Sequence, residues 1–114
     1  MREACYPLTI CNQLVTVITV KTHPAFDTWL EGLKDKATVI RLRARLKKAT
    51  LGNLGDVAPV GSGVSEMREH FGPGWRMYFT QRGNTLIVMI GGGTKSKQAA
   101  DIAKAIHLAS TLEE

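Results

Sequence analysis

Between Gly61 and Gly93 the side chains alternate between apolar and polar, the period of two that marks a strand. The pattern predicts three antiparallel strands. The first spans 64–71 and turns at Gly72-Pro73-Gly74. The second spans 75–81 and turns near Gly83-Asn84, and the third spans 85–90. A three-residue loop at 72–74 sets Phe71 opposite Trp75 and Met67 opposite Phe79. A two-residue turn at 83–84 sets Phe79 opposite Val88 and Met77 opposite Ile90. Met67, Trp75, Met77, Phe79, Val88 and Ile90 then line an apolar face that seeks a core. Glu66, Arg68, His70, Arg76, Tyr78 and Thr80 line the other, a candidate working face. In this register Arg68 faces Tyr78, and Arg76 lies between His70 and Gly91.

The rest of the chain reads as helices around that sheet. Residues 14–20 are rich in β-branched side chains and predict a strand. A helix starts at Thr22-His23-Pro24, with proline in its first turn and an apolar stripe of Phe26, Trp29, Leu30 and Leu33. Asp35 or Lys36 opens a second helix, which lasts to about Thr50. Val39, Leu42, Leu46 and Ala49 repeat there at helical spacing. Residues 57–63, with Pro59, Gly61 and Gly63, read as a loop. Gly91-Gly92-Gly93 ends a strand and allows close backbone approach; its surroundings do not match a phosphate loop. A final helix spans about 96–112, with Ala99, Ile102, Ala103, Ile106 and Ala109 or Ser110 facing inward. Residues 1–13 fit no pattern, as a disordered arm or an over-long start to the reading frame would. Residues 14–114 form one domain.

Composition narrows this picture only in part. The 114 residues suffice for one core, and 44% hydrophobic with 22% charged residues is ordinary for a globular protein. The formal charge of +5 favours a polyanionic partner. Arg41, Arg43, Arg45, Lys47 and Lys48 crowd the second helix, either as a solvated face or as a patch for a nucleic-acid backbone or an acidic protein. The two cysteines, Cys5 and Cys11, make no disulfide framework, and no Cys/His spacing resembles a zinc site. A reducing, cytoplasmic setting is expected, with no membrane span, metal or cofactor.

The order of elements and the words inside it carry a resemblance. The words are Trp29-Leu-Glu-Gly-Leu-Lys-Asp35, then Gly55-Asp56 followed by residues 59–68 (PVGSGVSEMR), then residues 72–79 (GPGWRMYF) and 91–98 (GGGTKSKQ). Together they closely resemble the addiction-module killer proteins, a branch of the RelE/ParE/HigB toxin superfamily, over about residues 15–112. Met67 stands where relatives often have Leu, and Trp75 where they often have Tyr. The resemblance implies an α+β, RelE-like single domain: a mainly antiparallel twisted sheet with two N-terminal helices on one face and a C-terminal helix, which is expected to pack at the edge of the sheet. It implies the toxin of a type II toxin–antitoxin module, acting as an mRNA endoribonuclease that inhibits translation, often on ribosome-bound messages. The implied partners are a helix-turn-helix antitoxin, mRNA and the ribosome.

RNA is cut without a metal when its 2′-hydroxyl attacks the adjacent phosphorus, leaving a cyclic phosphate and a 5′-hydroxyl. The reaction needs a proton acceptor, positive charge on the phosphate oxygens and a donor to the leaving oxygen. Arg68, Arg76 and Lys95 carry over from the resemblance. The two guanidinium forks suit phosphate oxygens, while Tyr78, His70 or Lys95 would move protons. Arg68, Arg76, Tyr78 and Lys95 are therefore the catalytic candidates. Arg43, Lys47, Lys48, His70, Arg82 and Lys97 are the candidates for binding RNA. An acidic surface of the antitoxin would cover Arg68 and Arg76 or lock the closing helix. Two other functions fit the residues: a ParE-like toxin that poisons gyrase, and a basic binding module with no activity.

Overall fold

The computed structural model describes residues 17–112. The arm expected at 1–13, and the start of the strand expected at 14–20, lie outside the described residues. Strand β1 is Thr19–Thr22. Helix α1 (Pro24–Glu31) has Pro24 at its start, and His23 caps it by accepting at Nδ1 from the Ala25 amide at 3.0 Å. Helix α2 (Lys36–Thr50) starts at Asp35, whose carboxylate accepts from the Ala37 amide and the Thr38 hydroxyl, each at 3.0 Å. Both starts agree with the sequence.

Residues 57–63 are not a loop as expected: Val57–Gly61 is strand β2, paired antiparallel with β3 (Val64–Arg68). Pro59 is tolerated because β2 is an edge strand. Strands β4 (Trp75–Arg82) and β5 (Leu86–Thr94) complete a five-stranded sheet in the order β1-β5-β4-β3-β2. Among the described residues, β1 and β5 alone pair in parallel. The three glycines lie within β5 rather than after it.

The pairing differs from the sequence reading at both turns. Met67 faces Met77, Glu66 faces Tyr78 and Arg68 faces Arg76, two residues away from the predicted register. Strand β3 stops at Arg68 and the chain crosses a wider loop, so the turn is not the three residues at 72–74. A slip of two keeps each side chain on its face. The second turn holds three residues, since Arg82 pairs with Leu86, and a bulge at Tyr78/Phe79 adds one more. An odd slip exchanges faces. Ile87 and Met89, not Val88 and Ile90, therefore join Met67, Met77 and Phe79 in the main core, with Phe26, Leu30, Leu42 and Ala49 of α1 and α2. Each of these side chains other than Ala49 contributes about 1.5–3 kcal/mol on burial.

A 3-10 turn (Lys95–Lys97) leads into helix α3 (Gln98–Ser110). This helix does not pack at the edge. It lies across the second face of the sheet, where Val64, Tyr78, Ile90 and Ala105 form a second core flanked by Val88, Ile102, Ile106, Ala109 and Leu112. Ala99 and Ala103, expected inside, are exposed. Gln98 donates to both carboxylate oxygens of Glu66, at 3.0 and 2.9 Å, and ties the helix start to β3. Asp101 occupies the space over Gly93, where a Cβ would lie 1.9 Å from its Oδ2. Most of the expected working face is thus covered by α3.

Candidate functional site at the open end of the sheet

One end of the polar face stays open. Successive pairings set Arg68 beside Arg76, and Arg76 beside Gly93. The expected neighbours of Arg76, His70 and Gly91, are replaced by these two. Asp56, just before β2, joins the same row: the Arg68 amide donates to its carbonyl at 2.9 Å. Its Oδ1 accepts from Arg68 Nη2 at 2.8 Å, and its Oδ2 lies 2.7 Å from His70 Nε2. The guanidinium of Arg68 first, then the ring of His70, holds the Asp56 carboxyl down at about 2. Asp56 in turn raises the pKa of Arg68.

Arg76 is only 6% exposed. Its Nη1 donates to the carbonyls of Glu69 and Trp75, at 3.3 and 3.2 Å. Its Nε meets no acceptor, and no carboxylate pairs with it among the described residues. Gly74, with φ of +79°, opens the space beside it: a Cβ there would lie 3.1 Å from Lys95 Cβ and 3.7 Å from Arg76 Nη1. Arg76 and Lys95 thus converge on one turn. A buried guanidinium with an Nε that meets no acceptor and no direct ion pair has hydrogen-bonding capacity unmet, which an incoming anion can fill, although the carboxylates of Glu66 and Asp101 share the covered face.

The other candidates separate. Tyr78, expected to move protons, is instead a core residue with 0% exposure, and its hydroxyl has no partner among the described residues. Burial first, then the charges of Glu66 and Asp101, pushes its pKa up to about 12. His70 is exposed beside Arg68, and Lys97 is exposed on the 3-10 turn after Lys95. Arg82 sits at the far end of β4, about 20 Å from Arg76 at strand rise, and does not join this group. Arg43, Lys47 and Lys48 are exposed on α2. Of these, Lys48 lines a groove of about 360 Å³ with Arg41, Asn53, Asp56 and Glu69, next to the Arg68 group. Arg41 stacks on Phe71, its Cζ 3.6 Å from the ring centre.

Arg45, read as part of the basic flank, turns inward. It donates to the carbonyls of Leu54, Asp56 and Arg68 and pairs with Glu69. It thereby fixes the segment that carries His70. Asp56 and Glu69 had no assigned role in the sequence reading. The signal for Asp56 was its place after Gly55 at a turn, hidden because β2 read as a loop. No group of three or more His, Cys, Asp or Glu side chains suited to a metal occurs among the described residues. No helix among them is long and apolar enough to cross a membrane.

The architecture is an α+β fold similar to that of YafQ. The crystal structure of YafQ from E. coli strain BL21(DE3) superposes with a TM-score of 0.50 at 19% identity, covering 71% of this chain and 97% of that one. No family model matches the chain. An uncharacterized protein of Haemophilus influenzae is 38% identical over 95 residues, 83% of this chain and 96% of that protein. The chain belongs to the family of that protein.

Proposed function

We propose that the chain is the toxin of a type II toxin–antitoxin module and cleaves mRNA on the ribosome. The observation that carries the reading is Arg76, a buried guanidinium without a carboxylate partner among the described residues, beside Lys95 and across from Arg68. The YafQ-like fold and the killer-protein motifs support the same reading. The phosphate of the scissile bond sits against Arg76 and Arg68, whose fixed charge stabilises the oxygens as negative charge develops. The 2′-hydroxyl attacks phosphorus, the bond to O5′ breaks, and a cyclic phosphate and a 5′-hydroxyl result. Arg43, Lys47, Lys48 and Lys97 hold flanking phosphates. A helix-turn-helix antitoxin with acidic groups covers Arg68 and Arg76 in the cytoplasm.

The test is induction in growing cells with and without the neighbouring frame, followed by primer extension on cellular messages. Growth arrest relieved by the neighbour, with discrete 5′-hydroxyl ends, supports the reading. Double-strand DNA breaks without such ends would move it to gyrase poisoning.

A further inference from the structure

We propose that Asp56 is a positioning residue that holds His70 in the tautomer able to take the proton from the ribose 2′-hydroxyl. This rests on the ribonuclease reading and assigns its proton acceptor.

The geometry starts with the carboxylate. Asp56 is ionised at neutral pH, and an ionised carboxylate only accepts hydrogen bonds. At 2.7 Å from Oδ2, Nε2 of the neutral ring must therefore carry the proton. Nδ1 is left with its lone pair and has no partner among the described residues. The His70 side chain is 73% exposed, so a substrate can reach it. Asp56 is itself anchored, by Arg68 at Oδ1 and by Arg45 Nη2 at its carbonyl, at 2.8 and 2.9 Å. The charged groups around the pair are Arg68 on β3, Arg45, Arg41 and Lys48 on α2, and Glu69, which Arg45 neutralises.

The phosphate site adjoins this pair. Arg76 donates to the carbonyl of Glu69, the residue before His70, so phosphate cradle and imidazole share one backbone segment. Tyr78 is sealed in the second core, which removes the competing acceptor on β4. The proton on O2′ passes to Nδ1 as the O2′–P bond forms and the P–O5′ bond breaks. The leaving O5′ takes a proton from the Lys95 ammonium. Afterwards His70 returns its proton to water and Lys95 regains one from water.

The experiment pairs a spectroscopic readout with kinetics on Asp56→Asn, His70→Gln, Arg68→Gln and the Asp56→Asn/His70→Gln double variant, each checked for folding by circular dichroism. Imidazole 15N shifts should show neutral His70 almost wholly as the Nε2–H tautomer in the parent, and in Asp56→Asn a smaller share, closer to the modest Nε2–H preference of a free imidazole. Cleavage of a reporter mRNA in a cell-free translation reaction should fall about a hundredfold in His70→Gln and about tenfold or more in Asp56→Asn. The double variant should be no slower than His70→Gln. An unchanged tautomer in Asp56→Asn, parental cleavage by that variant, or a further loss in the double variant would each overturn the inference. So would a loss in Arg68→Gln equal to that in Asp56→Asn with His70→Gln unaffected, since Asp56 would then act through Arg68. A parent that cuts no message overturns the ribonuclease reading and the proton transfer with it. The tautomer data then show whether the coupling itself exists.

Discussion

Arg68 and Arg76 face each other across β3 and β4, and of the two only Arg68 has a carboxylate partner among the described residues. Like charges directly opposite destabilise a sheet. Asp56 relieves one member of the pair; the other remains as a buried positive charge. On the ribonuclease reading, the relief for the second comes from substrate.

Arg76→Ala should therefore abolish toxicity while leaving a folded protein that still binds its antitoxin. Removal of such a donor costs about a hundredfold or more in rate. Arg76→Lys should recover little, because a point charge does not replace a fork. Growth inhibition and message cleavage measure the loss, and circular dichroism confirms the fold. A folded Arg76→Ala protein with the parental rate moves the anion site to Arg68 and Lys95.

Tyr78 gives the opposite expectation. Its hydroxyl is buried without a partner among the described residues, so removing it relieves an unsatisfied group. Tyr78→Phe should keep toxicity, and its stability in urea should match or exceed the parent's by up to about 1 kcal/mol. Loss of cleavage in a stable Tyr78→Phe protein would show that α3 lifts to admit substrate.

Arg45 and Arg43 stand two residues apart on α2 and should behave differently. Arg45→Ala strands several carbonyls and the Glu69 carboxylate, and should cost about 3 kcal/mol in urea denaturation. Arg43 is exposed, and Arg43→Ala should stay within about 0.5 kcal/mol. Equal stabilities would mean that the Arg45 network adds nothing to the fold.

Acid should act on Asp56. Its carboxyl lies at about 2 in the folded chain, whereas an unfolded Asp titrates near 3.9, about its reference value. Between these values the unfolded chain binds the proton more readily, so the pairing stabilises the fold fully above about 4 and is lost as pH falls towards 2. The group is exposed, so the effect is small. Melting temperatures from pH 6 to 2 should fall less steeply in Asp56→Asn than in the parent. Parallel curves would show that the ion pair contributes nothing.

The helices were legible because their caps are local. His23-Pro24 and Asp35 mark their starts whatever surrounds them. The sheet was less legible because register depends on turn length. One unread residue at Gly83-Asn84-Thr85, and one bulge at Tyr78, exchanged the faces of β5. Pro59 and Gly61 hid β2, and with it the place of Asp56 in the charged row. Arg68, Arg76, His70 and Lys95 were legible as chemistry, but the burial of Arg76 and Tyr78 was not. It depends on α3 crossing the face, and the small residues of that helix mark more than one possible stripe.

The strand order carries a consequence for synthesis. Among the described residues strand β1 pairs only with β5, and β4 lies between β5 and β3. A ribosome must therefore have made residues 86–94 before β1 finds a partner, and residues 98–110 before the second core closes. Loop-closure entropy is lost before those distant pairings repay it. Fragments that stop earlier have neither the shared end of β3, β4 and β5 nor the turn carrying Lys95. The assembled site thus exists only once β5, the turn carrying Lys95 and helix α3 have been made, and translation products that stop before them lack it.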